Sequence, residues 1–142
     1  FNYTDGIAIV GSGGGSKFTG KTPNEREEDD LIADFDILNQ EEFQGDYSNL
    51  IIISHNPPKA EKVDSFAPGM HAGSEKFREL IDEKKPLAVV TGHIHEGAAI
   101  EKIGETTVIN AGSLGENGSY GILEVEKTDG KWSVKNCQIK KL

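Results

Sequence analysis

Short apolar runs along the chain predict strands that lie in the interior. Residues 50–53 and 87–90 are uninterrupted apolar runs rich in β-branched side chains, the pattern of parallel strands covered on both faces. Residues 6–10 form a similar, shorter run that leads into the glycine-rich segment 11–16. We therefore predict three strands of a buried sheet, each followed by a loop.

Between these runs the pattern changes to helical spacing. Thr22-Pro23-Asn24-Glu25 resembles a capping box with proline at the first helical position, so a first helix is predicted to begin there. The acidic residues 25–30 suit the solvated, positive end of that helix, with a supply of metal carboxylates as the weaker alternative. Ser74 can cap a second helix that Pro86 ends. Apolar residues recur at helical spacing in both helices: Leu31, Ile32, Phe35 and Leu38 in the first, and Phe77, Leu80 and Ile81 in the second.

The last third of the chain has the pattern of an antiparallel meander. Its predicted strands are residues 99–103, 106–110, 120–126 and 131–139, and Asp129-Gly130 is a favourable hairpin turn between the last two. The fold class predicted from these elements is α/β, with an α+β tendency at the C-terminal end. One domain accounts for 142 residues.

The segment 11–16, GSGGGS, has two interpretations. Its composition is that of a flexible linker. A strand ends directly before it, which favours instead an ordered loop whose backbone approaches a site closely.

Four histidines carry the candidate chemistry, and three of them follow predicted strands. His55 comes after the 50–53 run, and His93 and His95 come after the 87–90 run. In open α/β sheets ligands bind beyond the carboxyl ends of the strands, and imidazole is a common ligand of transition metals. A pair spaced i, i+2 in an extended segment points the same way, so His93 and His95 can reach one metal centre or two neighbouring ones. His71 lies in a predicted loop and is a weaker candidate.

Composition narrows the classes of function. The net charge of −9 gives no bulk-charge signal for nucleic acid or for anionic membranes. The single cysteine, Cys137, excludes an intrachain disulfide and favours a reducing, cytoplasmic location. No apolar stretch reaches the roughly 18 residues of a membrane span.

Three blocks resemble the calcineurin-like metallophosphoesterases, in the family's order. Ser54-His55-Asn56-Pro57-Pro58 resembles the (G/S)HxPP block, and Gly92-His93-Ile94-His95 resembles the GHxH block. Asn110-Ala111-Gly112-Ser113 resembles the NPGS block, with alanine in place of proline. The resemblance covers almost the whole chain and is nearest to the small prokaryotic and archaeal branch. The family's Asp-x-His, Gly-Asp and Gly-Asn-His-Asp/Glu blocks have no counterpart here.

The resemblance implies a phosphoesterase with two divalent metal ions (Mn, Fe, Zn, Ni or Co) that hydrolyses phosphomono- or phosphodiesters with a metal-bridging hydroxide. His55 and His93 would bind one ion and His95 the other. Asn56, Gly92 and His71 would lie near the substrate. The carboxylate ligands and the general acid would lie upstream of Phe1, so no catalytic residue is expected within this chain.

The resemblance also implies that the chain is the C-terminal half of a four-layer αββα sandwich. We expect residues 1–142 alone to be inactive, and to associate with the N-terminal half or with themselves. Two alternatives remain open: a non-catalytic scaffold that binds a partner protein, and a mononuclear zinc hydrolase that uses three histidines.

Overall fold

A computed structural model describes residues 2–17, 20–21, 23–40, 43 and 46–142, with side chains from residue 5 onward. Its central element is a six-stranded sheet. The strands are β1 (Asn2–Thr4), β2 (Ile7–Ser12), β5 (Leu50–Ser54), β8 (Ala88–Thr91), β9 (Ala99–Ile103) and β10 (Thr106–Asn110). They lie in the order β1-β2-β5-β8-β10-β9. The four inner strands run parallel, and both edge strands are antiparallel to their neighbours. The predicted α/β class is confirmed.

Helices cover one face of this sheet. They are α1 (Glu28–Ala33), a following 3-10 helix (Asp34–Asn39) and α2 (Glu75–Lys84). Ser74 caps α2 as predicted, since its hydroxyl accepts a hydrogen bond from the amide of Phe77 at 3.0 Å. The main core lies between these helices and the sheet, and includes Phe35, Leu38, Leu50, Ile52, Val63, Phe77, Ile81, Val89 and Val108.

A long hairpin lies on the opposite face. Its strands are β11 (Ser119–Thr128) and β12 (Lys131–Lys141), and they form a separate two-stranded sheet joined by the predicted Asp129-Gly130 turn. Both turn residues have the positive φ that this type of hairpin requires. The hairpin contributes Leu123, Val125, Trp132 and Val134 to a second, smaller core against Ile7, Ile51 and Ala88.

The first helix begins later than the sequence predicted. Thr22 lies outside the described residues, and Pro23 and Asn24 form a turn in which Asn24 has a φ of +60°. The next residues form a short strand, β4 (Glu25–Arg26), which pairs in parallel with β3 (Gly15–Ser16). Because the backbone of Glu25 and Arg26 is used in this pairing, the helix starts only at Glu28. The prediction of a helix start at Pro23 is therefore wrong.

The loop between Pro58 and Ser74 contains a small hairpin that was not predicted, made of β6 (Ser65–Ala67) and β7 (Met70–His71). Its entry is fastened by Glu101, whose carboxylate accepts hydrogen bonds from three successive amides, those of Glu61, Lys62 and Val63. Such bonds replace the hydration of backbone groups and hold the loop in one conformation.

The predicted meander is only partly correct. β9 and β10 form the predicted hairpin, but they belong to the central sheet, where β10 runs parallel to β8. The apolar run at residues 50–53 was predicted to be covered on both faces. This prediction is wrong at Ile53, which is 48% exposed. No helix in the part of the chain that the structure describes is long and apolar enough to cross a membrane.

Candidate metal centre

Two of the histidines meet because their strands are neighbours. β5 and β8 pair in parallel with Ser54 opposite Thr91, so both strands end at the same edge of the sheet. The chain continues from these ends into His55 and into Gly92-His93. The amide of Gly92 donates a hydrogen bond to the carbonyl oxygen of His55 at 3.3 Å and joins the two segments directly.

The rings of His55 and His93 are in contact. His55 Nε2 lies 3.0 Å from His93 Nδ1, and the rings meet edge to face with centroids 4.8 Å apart. His93 has a φ of +66°, a backbone conformation that is uncommon for residues other than glycine and is often found at functional sites. The turn after β8 thus holds the His93 ring against His55.

These two imidazoles fit adjacent ligands of one divalent ion. Two neutral imidazole nitrogens 3.0 Å apart at the edge of the sheet would suit a divalent transition-metal ion, which accepts imidazole as a ligand. Partial desolvation of the ring and the neighbouring His93 and His95 lower the pKa of His55. Desolvation and His95 likewise lower the pKa of His93. Both rings are thereby kept in the neutral form that binds metals.

His95 lies near this pair but has a different partner. It begins a single turn of 3-10 helix (His95–Gly97), and its Nδ1 lies 2.8 Å from Glu116 Oε2. Glu116 is on the short helix α3 (Leu114–Asn117), which Ser113 caps. Among the described residues, no group of three or more His, Cys, Asp or Glu side chains is arranged to hold a metal ion. The histidine pair therefore fits part of a metal site.

The glycine-rich segment is ordered and approaches this pair, so the loop interpretation is confirmed and the linker interpretation is wrong. A Cβ on Gly15 would lie 3.0 Å from Cε1 and Nε2 of His93, so glycine allows the backbone to pass beside the ring. The next residue, Ser16, donates two hydrogen bonds to the side-chain carbonyl of Asn56, from its amide at 2.9 Å and from its hydroxyl at 3.1 Å.

The three residues predicted near the substrate lie in different surroundings. Asn56 is only 2% exposed, and the structure gives it the role of holding Ser16 beside the site. Gly92 lies at the histidine pair, with its Cβ position 3.9 Å from His55 Nδ1. His71 is on β7, where its Nδ1 lies 2.9 Å from Asp64 Oδ1. Direct contact of these three residues with a substrate stays a prediction.

Asn110 contributes an interaction that the sequence did not reveal. This residue ends β10 and is fully buried. Its side-chain amide donates to the carbonyl oxygen of Ile94 at 2.7 Å and to that of Val63 at 2.9 Å, and its oxygen accepts from the amide of Gly112 at 3.0 Å. Asn110 thus fastens the residue between His93 and His95 to the sheet. The only signal in the sequence was its position in the block that resembles NPGS.

Comparison with known proteins gives the family to which the chain belongs. Residues 24–133 match the family model described as metallophosphoesterase, calcineurin superfamily. This match covers more than half of the chain, and the chain belongs to that family.

Related proteins match most of this chain but only about half of their own length. The uncharacterized protein MJ1162 of Methanocaldococcus jannaschii is 32% identical over 110 residues, which cover 75% of this chain and 48% of that protein. The crystal structure of TT1561 of Thermus thermophilus has a TM-score of 0.61 at 22% identity, and the match covers 96% of this chain and 56% of that one. A further crystal structure has a TM-score of 0.69 at 20% identity, over 99% and 51%. The chain spans about half the length of the relatives it matches.

Replacement of Asn110 by alanine is predicted to destabilise the chain by about 2–4 kcal/mol, because it removes the donors to two carbonyl oxygens in the interior. Urea unfolding measures the change. Asn136→Ala on the outer hairpin is the matched control, with an expected change within about 0.5 kcal/mol. Equal effects of the two substitutions would contradict the role given to Asn110.

The two lowered pKa values predict a pH dependence in the metal-free chain. His55 and His93 should titrate below the ordinary value of about 6.5. The unfolded chain then takes up these protons before the folded chain does, so these groups have no effect on stability above about pH 6.5 and reduce it as the pH falls below that value. NMR of the imidazole rings measures both midpoints.

The variant His93→Ala provides the control for this titration. It removes a like charge from His55, whose midpoint should move up toward the ordinary value. Midpoints at or above about 6.5 in the parent chain would show that the two rings are not desolvated as described.

Proposed function

We propose that this chain forms the histidine-bearing half of a metal-dependent phosphoesterase that hydrolyses phosphomonoesters or phosphodiesters. The observation that supports this most directly is the 3.0 Å approach of His55 Nε2 and His93 Nδ1 at the carboxyl ends of two paired strands. Membership of the metallophosphoesterase family also supports the proposal that this pair binds a metal ion for phosphoester hydrolysis.

In the proposed site, His55 and His93 hold one divalent ion and His95 holds a second. The ions, when bound, would supply Lewis-acid activation of water and charge balance for the phosphate. The metal identity is left open among Mn, Fe, Zn, Ni and Co, because imidazole and carboxylate ligands accept all of them.

This chain's own residues would prepare the site in three ways. Burial lowers the pKa of both His55 and His93, and His95 lowers both further, so that their nitrogens are available to a cation. Glu116 orients the His95 ring through Nδ1, which leaves Nε2 free, as carboxylates commonly do for ligating histidines. Gly15 lets the backbone close one side of the pair.

The remaining ligands are proposed to come from a part of the fold outside residues 1–142. The chain spans about half the length of its relatives, and the described residues contain no cluster of three or more potential ligands arranged around a metal. The full-length form is a protein that carries these residues together with the remainder of the relatives' fold.

Activity of the full-length form tests the proposal. Loaded with Mn²⁺ or Ni²⁺, it should hydrolyse 4-nitrophenyl phosphate or bis(4-nitrophenyl) phosphate, and His55→Ala or His93→Ala should lower kcat by at least about a hundredfold. The control is Lys140→Ala, at the exposed end of the hairpin, with kcat close to that of the parent. A parent protein that cleaves neither ester with any of the five metals would refute the proposal.

The same proposal implies that the surface around Ile53 and the C-terminal hairpin contacts the rest of the fold. Ile53 is 48% exposed on a strand whose other apolar residues are buried, and β11 and β12 pair only with each other in the part of the chain described. Apolar area and unpaired strand edges favour association. We expect this face to contact the remainder of the fold.

Residues 1–142 alone should therefore self-associate, or bind the rest of the fold when it is supplied separately. Sedimentation velocity at several concentrations measures this, with Ile53→Lys as the variant expected to weaken association. A monomer at all concentrations that also fails to bind the remainder would contradict the expectation.

A further inference from the structure

A second feature lies on the chain segment that approaches the histidine pair. It is a cavity of about 360 Å³ between the start of α1 and the start of α2, lined by Ser16, Lys17, Glu27, Glu28 and residues 71–75. Ser16 borders this cavity, and the preceding Gly15 contacts His93. Adjacent residues of one segment therefore border the histidine pair and the cavity.

One wall of the cavity holds an imidazole in a fixed orientation. Asp64 is fully buried, and its Oδ2 accepts a hydrogen bond from the amide of Gly73 at 3.1 Å. Its Oδ1 lies 2.9 Å from Nδ1 of His71. Since a carboxylate oxygen accepts hydrogen bonds, Nδ1 of His71 is the donor and Nε2 remains available to a ligand. The His71 side chain is 30% exposed, which leaves its ring open to the cavity.

The rest of the lining carries more carboxylates than ammonium groups. The lining holds three carboxylates, those of Glu27, Glu28 and Glu75, and the ammonium group of Lys17. Lys17 is paired with Glu27. The ammonium group of Lys59 lies 2.8 Å from Glu75 Oε1 and pairs with it. Three carboxylates against two ammonium groups leave a net negative charge, so the local potential favours hydroxyl and amine donors and opposes a second anion.

The start of α2, which could otherwise attract an anion, is already satisfied. The Glu28 carboxylate accepts hydrogen bonds from the hydroxyl of Ser74 at 2.5 Å and from the amide of Lys76 at 3.0 Å. Ser74 in turn caps the amide of Phe77. The amides at this helix end are therefore already hydrogen-bonded to Ser74 and Glu28, and few of them remain to bind a phosphate.

We propose that this cavity binds the alcohol portion of the phosphoester substrate and selects one that carries hydroxyl or amine groups, such as a polyol, an amino alcohol or an amino sugar. His71 Nε2 accepts a hydrogen bond from that portion, and Asp64 positions the ring. This inference rests on the proposed function, because the bound molecule is a substrate only if the protein is a phosphoesterase. The chemistry of the cavity can nevertheless be tested without catalysis.

Binding to the 142-residue chain is the direct test. Glucosamine should shift the NMR signals of the His71 ring in a saturable way, and inorganic phosphate should not. Glu75→Gln, which removes a carboxylate from the lining, should weaken glucosamine binding by about fivefold. Glu83→Gln is the matched control, because Glu83 lies on the same helix and away from the cavity, and its affinity should equal that of the parent.

Two results would overturn the inference. One is a saturable shift of His71 with phosphate and none with glucosamine. The other is an equal effect of Glu75→Gln and Glu83→Gln on glucosamine binding, which would show that the lining carboxylates take no part.

Catalysis by the full-length form separates this inference from the proposed function. His71→Ala should lower kcat/KM for glucosamine 6-phosphate, relative to 4-nitrophenyl phosphate, by about tenfold, and Glu83→Gln should leave this ratio unchanged. An unchanged ratio in His71→Ala would refute selection by this residue. If the parent cleaves none of glucosamine 6-phosphate, 4-nitrophenyl phosphate and bis(4-nitrophenyl) phosphate, the phosphoesterase proposal fails, and the glucosamine titration alone decides the cavity's chemistry.

Discussion

The parallel pairing of β5 with β8 is the constraint from which the site follows. Parallel strands point their carboxyl ends to one edge of the sheet, and the register that sets Ser54 opposite Thr91 brings the following residues together. His55 and His93 are 38 positions apart in the chain, yet their ring nitrogens are 3.0 Å apart. The apolar faces of these strands, buried against α2 and the C-terminal hairpin, fix the register because a slip of one residue would exchange the faces.

The loops beyond the strands are held by buried polar side chains. Asn110 fastens the loop that carries His93 and His95, and Asp64 fastens the loop that carries His71. Buried side chains engaged in this way specify one loop conformation, because each lost partner would leave a polar group unsatisfied. The site is therefore positioned by rigid strands on one side and by hydrogen-bonded loops on the other.

Much of this arrangement could be predicted because the relevant signals are local. Uninterrupted apolar runs indicated β5 and β8, Ser74 indicated the start of α2, and the position of His55 and His93 after strands indicated a site at the sheet edge. The first helix was predicted too early because its local capping pattern competes with a non-local interaction, the pairing of β3 with β4. The exposure of Ile53 depends on which surface covers the strand, and a strand's own sequence does not specify its neighbours. The Asp64–His71 pair was missed because it depends on the folding of one loop upon itself.

Metal content of the full-length form tests the central claim most directly. Elemental mass spectrometry would be applied to the parent protein and to a His55→Ala, His93→Ala double variant, both purified without chelator. We expect about two ions per chain in the parent and about one or fewer in the variant, since one site loses both imidazoles. Equal metal content in the two proteins, or none in the parent, would show that these histidines do not hold a metal ion.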